Sequence, residues 1–384
     1  ATYVDPQDDF GNETTVTDVA YYDVTLKSGP LSGDETWTAA NSPFLVTGDV
    51  TVPDGHTLTI EPGVEVRFTE LTDDQEGGQD MNRCELVIDD NGSLIAEGTA
   101  ADSVTFTSNS EDPAASDWYG FYWNGNVGVI RLSHVSFRHA TYVFNGNMDF
   151  YGDQSDSLRI THSHFRHIGQ DIFRSYIYAY SGATMVIKNN TFADFSSYFM
   201  RDIFLYGDGT LLEIDANEFV DPHGSLIDNG LRVQDVGPKI LFTNNQSTSN
   251  SKLKFQAYGD NATEDQVIIE NNQLTGSYMR LYGSGATQGR FLVKGNTFDG
   301  TYLQVYYADR ALIQDNTIKN VNEDYALSLS YTNAVVERDT IIDNARDGIQ
   351  VYTDFNYLSV KDTIRYCTIT GNNTNNYSNY AGIK

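Results

Sequence analysis

Residues 185–192 read MVIKNNTF, and the phrase returns as LEIDANEF at 212–219, ILFTNNQS at 240–247, VIIENNQL at 267–274 and FLVKGNTF at 291–298. Each copy is an apolar strand that runs into a polar, Asn-rich corner and ends on an anchor position that is apolar in all but one copy. Nine copies align on the anchors Phe137, Phe165, Phe192, Phe219, Ser247, Leu274, Phe298, Ile318 and Ile341, which are 20 to 28 residues apart. A period of about 20–50 residues is typical of a solenoid. The sequence therefore predicts one stack of similar coils.

The corner places the same polar residue at one position of successive coils. Two residues before the anchor stand Asn190, Asn217, Asn245, Asn272, Asn296, Asn316 and then Asp339. Side-chain amides in register both donate and accept hydrogen bonds, so they can join neighbouring coils as a ladder. The residues seven and five positions before the anchor, such as Met185 and Ile187, alternate as in a strand with one buried face. We therefore predict an asparagine ladder beside a continuous apolar core.

Composition and charge narrow the class of protein. The 384 residues include 25 Tyr, 20 Phe and 32 Gly, which favours many short strands, and no amphipathic helical run stands out. The formal net charge of −29 disfavours nucleic acid and anionic membranes as partners. No apolar stretch reaches the roughly 18 residues of a membrane span, so membrane insertion is not expected. The two cysteines, Cys84 and Cys367, lie near opposite ends of the predicted stack, so no disulfide framework is expected.

The first third of the chain resembles the opening of right-handed parallel β-helix repeat proteins, many of which are secreted or surface-attached. The matching residues are Ser42-Pro43-Phe44, Val52–Gly55, Leu58–Val64, Gly92–Thr99 and Val104–Ser108. The resemblance implies an all-β, right-handed parallel β-helix of about 12–14 coils over residues 37–384, with residues 1–36 as an N-terminal arm or cap. It also implies an extracellular or cell-surface location. Lyases, hydrolases, adhesins and fibre-like proteins share this scaffold, so the resemblance does not predict the activity.

A later strand of each coil presents two outward columns of side chains. Aligning the inward apolar pairs gives one column as Tyr178, Phe204, Arg232, Gln256, Arg280, Gln304, Ser328 and Gln350. The second column reads Tyr180, Tyr206, Gln234, Tyr258, Tyr282, Tyr306, Ser330 and Tyr352. Three interpretations stay open: a platform that binds a glycan, a contact with another protein or a second copy, and aromatic packing between coils that only stabilises the sheet.

Histidines and acidic loops are the candidates for metal chemistry. In register, His134 stacks on His162, while His139 and His167 stack above Asp194 and Asp221. This column is a candidate for a metal site or for proton transfer, and the alternative is corner packing. Acidic loops such as Asp73-Asp74 offer the oxygen ligands that Ca²⁺ prefers, although no EF-hand spacing is present and no other cofactor is expected.

The expected function follows from a lack of converging acid and base groups in the aligned columns. We predict a non-catalytic structural or adhesive β-helix, although enzymatic activity stays open. The first alternative is a polysaccharide-active enzyme, a lyase, with the outward Tyr/Arg/Gln face as its groove, and the second is a glycan-binding module on the same face. The chain ends in mid-coil at Tyr380–Lys384, which predicts an open edge. Residues 13–27 of a second copy are predicted to cover that edge by strand addition, which would give a head-to-tail fibre.

Overall fold

The computed structural model describes residues 24–152, 157–220, 225–235, 237–249, 251–258, 262, 264–283, 289–322, 325–352 and 361–373, without the side chains of residues 225, 228–230, 251 and 277. These residues form strands β1–β36, numbered along the chain, and a single short 3₁₀ turn at Ala39–Asn41. Every strand pairing named below is parallel. The predicted all-β parallel β-helix is confirmed.

One strand from each coil belongs to a 13-stranded sheet. These first-position strands are β2 (Glu35–Trp37), β4 (Thr57–Ile60), β7 (Ser93–Glu97), β10 (Ile130–Ser133), β13 (Leu158–Thr161), β16 (Thr184–Lys188), β19 (Leu211–Asp215), β22 (Lys239–Thr243), β25 (Val267–Glu270), β27 (Gly289–Lys294), β29 (Ala308–Gln314), β32 (Ala334–Glu337) and β35 (Thr363–Arg365). The predicted inward residues lie in register, for example Met185 on Leu212 and Leu212 on Ile240.

The other strands form a bent 23-stranded sheet with a second and a third position in each coil. Second-position strands are β5 (Glu65–Phe68), β8 (Val104–Ser108), β11 (Val135–Arg138), β14 (His164–Arg166), β17 (Thr191–Ala193), β20 (Glu218–Val220), β23 (Gln246–Ser247), β30 (Thr317–Lys319), β33 (Thr340–Ile342) and β36 (Thr368–Thr370). Third-position strands are β6 (Glu85–Ile88), β9 (Gly120–Asn126), β12 (Phe144–Phe150), β15 (Phe173–Ala179), β18 (Tyr198–Leu205), β21 (Ser225–Val233), β24 (Ser251–Ala257), β31 (Leu327–Ser330) and β34 (Ile349–Tyr352). Four strands run through both positions: β1 (Thr25–Pro30), β3 (Phe44–Val52), β26 (Gln273–Gly283) and β28 (Thr297–Tyr306).

The corner between the first and second positions depends on a left-handed residue. The residue before each ladder position has positive φ, for example 56° at Asn189, 54° at Asn244 and 66° at Gly295. Asn, His, Asp and Gly tolerate this conformation better than most residues do. These residues therefore predominate at the corner, although Ala216 and Arg338 adopt the same conformation in two coils.

The predicted asparagine ladder is confirmed in atomic detail. Each ladder Oδ1 accepts from the backbone N–H of the preceding ladder residue, and from its side-chain Nδ2 as well when that residue is Asn. Each Nδ2 also donates to a carbonyl of the preceding coil, as Asn217 does to Ile187 at 2.8 Å. In the last described coil Ile369 pairs with Ile341, so Cys367 occupies the ladder position.

A single apolar core runs along the stack. Phe137, Phe165, Phe192 and Phe219 are fully buried, and Phe165 stacks on Phe192 with ring centroids 5.0 Å apart. At the start of the stack β1 pairs with β3 and β2 pairs with β4, so residues 25–37 supply the end strand of each sheet. Residues 25–27, which the sequence assigned to the strand-donating segment, thus pair within the chain's own stack. Residues 1–23 and 374–384 lie outside the described residues, so the fibre contact stays a prediction.

Candidate functional site

The third-position strands present an outward face that differs from the predicted one. Lys254 pairs with Arg280, and Gln256 pairs with Tyr282, where the prediction placed Gln256 beside Arg280. The predicted columns are therefore wrong between β24 and β26, by two residues. Inward and outward residues alternate with a period of two, so the pattern of apolar residues does not detect such a slip.

With the observed register, one column runs along most of the stack. We call it the main column: Asp149, Tyr178, Phe204, Arg232, Gln256, Tyr282, Tyr306, Ser330 and Tyr352. Beside its first half lies the outer tyrosine column: Tyr151, Tyr180, Tyr206, Gln234 and Tyr258. Beside its second half lies the basic column: Lys254, Arg280, Gln304, Ser328 and Gln350. The predicted face residues thus belong to three columns instead of two.

The aromatic rings of these columns stack face to face along the axis. Tyr178 and Phe204 lie 5.0 Å apart at an interplanar angle of 12°, and Tyr282 and Tyr306 lie 5.0 Å apart at 5°. Tyr180 stacks on Tyr206 at 5.5 Å. Each of these rings packs its face against a ring of the neighbouring coil, so the surface presents ring edges and hydroxyl groups. These stacked rings therefore pack between coils, and the described pairs do not form a flat platform of exposed ring faces.

Desolvation raises the pKa of several hydroxyls on this face, including those of Tyr180, Tyr206, Tyr258 and Tyr282. These hydroxyl groups are therefore neutral at physiological pH and can both donate and accept hydrogen bonds.

The two arginines of the face make several contacts within the protein. Arg232 donates to Gln256 Oε1 at 2.7 Å, lies over the Phe204 ring at 4.7 Å, and has Asp202 at 3.6 Å. Arg280 donates to Gln304 Oε1 at 2.9 Å and to the Tyr302 hydroxyl at 2.8 Å. Its guanidinium lies 4.1 Å from the centre of the Tyr278 ring. Gln304 is buried and Tyr352 is exposed, so the predicted binding residues differ widely in access to solvent.

A charged cluster that the sequence did not indicate lies beside this face. The Asp171 carboxylate is buried, accepts from the Tyr198 N–H at 3.1 Å, and has Arg201 at 3.2 Å and Arg174 at 3.5 Å. The Arg201 guanidinium lies 4.1 Å from the centre of the Tyr198 ring. A register irregularity between Phe173 and Ile177 alters the strand spacing here, so these residues fall outside the regular alternation that a sequence alignment uses.

The predicted histidine column is confirmed for the described residues. His134 stacks on His162 at 5.0 Å, and His139 stacks on His167 at 5.5 Å with nearly parallel rings. His167 Nδ1 lies 3.5 Å from Asp194 Oδ2, whereas Asp221 lies outside the described residues. Desolvation lowers the pKa of His139, and the neighbouring His167 adds to this effect. Across the described parts of the chain, no three His, Cys, Asp or Glu side chains converge as a metal-ligand group.

Two family models match the chain over most of its length. Residues 29–159 match the pectate-lyase-like β-helix domain, and residues 239–384 match the right-handed β-helix region. The chain therefore belongs to the right-handed parallel β-helix repeat proteins, as its sequence predicts.

A solved structure also shows similarity. The crystal structure of the periplasmic alginate epimerase AlgG aligns with 92% of this chain and 80% of its own, at 12% identity and a TM-score of 0.40. No curated protein sequence matches. None of the described residues forms a helix long and apolar enough to cross a membrane.

Proposed function

We propose that this protein is an extracellular, non-catalytic β-helix that binds a neutral polysaccharide along its third-position face. The observation that carries the proposal is the recurrence of tyrosine ring edges and hydroxyls in stacked runs, at Tyr151, Tyr180 and Tyr206 and again at Tyr282 and Tyr306. A parallel sheet repeats about every 4.8 Å, so a polymer lying along the axis meets tyrosine hydroxyls in several neighbouring coils. The similarity of residues 29–159 to a pectate-lyase-like domain supports a polysaccharide as the ligand class.

Neutral hydroxyl edges suit a polyhydroxylated ligand. Each phenol both donates and accepts, and the ring edge adds apolar contact beside the hydroxyl group. A series of weak contacts on one polymer acts together, so the affinity grows with the number of coils that the polymer spans. Binding of this kind fits the adhesive role that the sequence predicts.

Charge favours a neutral polymer over a uronate polymer. The net charge of −29 repels polyanions at long range. At short range Arg232 lies against Gln256 and Asp202, and Arg280 bonds Gln304 and Tyr302. A carboxylated sugar would have to compete with these contacts for the two guanidinium groups.

The carboxylates beside the face support binding over catalysis. Asp171 lies against two guanidinium groups, and Asp202 lies 3.6 Å from Arg232. A glycosidase needs a pair of carboxyl groups on the two sides of the scissile bond, one of them protonated. Desolvation raises the pKa of Asp171 although its two arginines oppose the shift, and both carboxylates are engaged by cationic partners of the protein itself.

Affinity electrophoresis in gels with neutral glucans, xylans or polyuronates tests the proposal. We expect retardation by a neutral polymer, loss of it in the double variant Tyr206→Ala/Tyr282→Ala, and no change in Tyr366→Ala. Tyr366 is a matched control because it is 80% exposed at a corner far from the face. Retardation that is equal in all three proteins, or none with any polymer, would overturn the proposal. A rise in ultraviolet absorbance on incubation with polyuronates would instead establish the lyase alternative.

A further inference from the structure

Two buried acids occupy the same position in successive coils near the start of the stack. Asp49 lies in β3 and Glu85 begins β6, and the residues after them, Val50 and Leu86, are paired. Both side chains are buried, with 4% and 0% exposure. The loop of residues 69–84 leaves the stack at this corner and returns to it at Glu85. The acids therefore lie between the loop and the body of the helix.

One oxygen of each carboxylate is fully engaged and the other is not. Asp49 Oδ1 accepts from the Glu85 N–H at 2.7 Å, and Glu85 Oε1 accepts from the N–H groups of Gln79 and Asp80 at 2.8 and 2.7 Å. Asp49 Oδ2 and Glu85 Oε2 are buried and have no hydrogen-bond partner. Buried polar atoms in proteins nearly always have a hydrogen-bond partner or a bound ion, so these two oxygen atoms are expected to have one.

The two unpartnered oxygens both face Gly78 of the loop. A Cβ atom built on Gly78 would lie 2.6 Å from Asp49 Oδ2 and 2.6 Å from Glu85 Oε2. Gly78 has a φ of 58°, so glycine is required here both by the backbone conformation and by the oxygens. The loop backbone closes directly over the acid pair.

Other charges in the loop do not neutralise the pair. Asp73 accepts from the N–H groups of Asp49, Gln75 and Gly77, at 2.9, 3.0 and 2.9 Å. Asp74 is bonded to Ser28, Thr47 and Gln75. The nearby Arg83 pairs with Asp80 at 2.6 Å. The oxygens of Asp73 and Asp74, the residues that the sequence suggested as calcium ligands, are thus already occupied.

We infer that Asp49 Oδ2 and Glu85 Oε2 bind one divalent cation of the Ca²⁺ class, which fastens the loop of residues 69–84 to the stack. Ca²⁺ prefers oxygen ligands and accepts backbone carbonyls and water beside carboxylates, so two side chains suffice as its charged ligands. Two carboxylates balance the charge of one divalent ion. Without a cation, burial raises the pKa of Asp49 to about 7 and that of Glu85 to about 8, so the pair would hold protons near neutral pH.

Calcium titration of the chelator-treated full chain, by calorimetry at physiological salt, tests the inference. We expect one tight equivalent that is absent in Asp49→Asn/Glu85→Gln and retained in Asp74→Asn. The control removes a carboxylate from the same loop without touching the two unpartnered oxygens. Calcium should also raise the thermal midpoint of the wild type and slow tryptic cleavage after Arg83.

The outcomes separate a cation from a shared proton. If the metal-free protein is stabilised as pH falls from 8 to 6 and calcium adds nothing, a shared proton holds the pair and the inference is wrong. A tight equivalent that survives in the double variant would also overturn it. Circular dichroism establishes that the variants are folded, and if the double variant unfolds, the single variant Glu85→Gln must show at least about tenfold weaker binding.

Discussion

The Oδ1 atom of Asn245 accepts two hydrogen bonds from Asn217, one from its backbone N–H at 3.0 Å and one from its side-chain amide at 3.1 Å. The Asn245 amide then donates to the Ile214 carbonyl at 2.9 Å and to Asn272 Oδ1 at 3.1 Å. One side chain thus joins three coils, and it does so in the buried corner of the stack. The ladder satisfies backbone groups that the turn removes from the sheets.

The substitution Asn245→Ala should therefore be strongly destabilising. It leaves the buried N–H of Asn217 and the Ile214 carbonyl unpaired, at a cost of about 1–3 kcal/mol for each group. Denaturant unfolding should show a loss on the order of 3 kcal/mol. Asn244→Gly is the control because Asn244 is exposed with positive φ, and Gly295 occupies that place two coils later. Equal losses in the two variants would contradict the role of the ladder.

Replacing Asp339 by Asn should stabilise the protein at neutral pH. Desolvation raises the pKa of this buried carboxyl to about 6, and its Oδ2 atom has no hydrogen-bond partner. Its Oδ1 atom accepts from the N–H and the side-chain amide of Asn316, both at 2.8 Å. An asparagine keeps that acceptor and supplies a donor in place of the unpartnered oxygen, so we expect a gain of about 1–2 kcal/mol at pH 7.

The gain from Asp339→Asn should depend on pH in a defined direction. The folded-state pKa lies above the unfolded value, so the folded protein binds more protons between the two. Stability from the protonated acid is fully present below about pH 4 and is lost as the pH rises through about 6. Unfolding free energies of both proteins at pH 4 and pH 7 check this expectation. An advantage of the same size at both values would rule out the titration of Asp339 as its cause.

Removing one ring of the phenylalanine stack should cost more than any surface change nearby. Phe192 is fully buried, lies between Phe165 at 5.0 Å and Phe219 at 5.6 Å, and also contacts Phe199 at 4.7 Å. Phe192→Ala leaves a cavity, and the hydrogen-bonded coils on both sides cannot move together to fill it. We therefore expect the free energy of unfolding to fall by about 3–5 kcal/mol. Thr191→Ala, on the same strand but facing outward, should change the unfolding free energy by less than about 0.5 kcal/mol.

The substitutions Tyr282→Phe and Tyr282→Ala separate binding from packing. The ring of Tyr282 stacks on that of Tyr306, and phenylalanine preserves this stacking while it removes the hydroxyl group. We expect Tyr282→Phe to keep the wild-type thermal midpoint and to weaken binding to a neutral polysaccharide by about fivefold, as one lost hydrogen bond implies. Tyr282→Ala should lower both. Unchanged affinity in Tyr282→Phe would show that the hydroxyl edge does not contact the ligand.

The fold could be predicted from the sequence because each coil repeats the same pattern within a short stretch of residues. The ladder position, the anchors and the inward pairs each recur at fixed offsets within a single phrase, and Asn272, for example, lies where that spacing predicts. The outward columns were harder to predict from the sequence. Their strands vary in distance from the anchor, and the two-residue slip that places Gln256 beside Tyr282 preserves the alternation of buried and exposed residues.

The sequence by itself thus determined three properties. Offsets within one repeat predicted the stacked coils and the buried amide ladder, and composition determined the strong negative charge. Contacts between residues outside the repeated pattern were decided only by the tertiary structure. Asp49 and Glu85 are 36 residues apart in coils that lack the Asn-rich phrase, and the strand register together with the 69–84 loop places an oxygen of each against Gly78. The stacking of Tyr282 on Tyr306 likewise depends on the orientation of the rings. Packing between coils fixes this orientation, and an alignment of the repeats does not predict it.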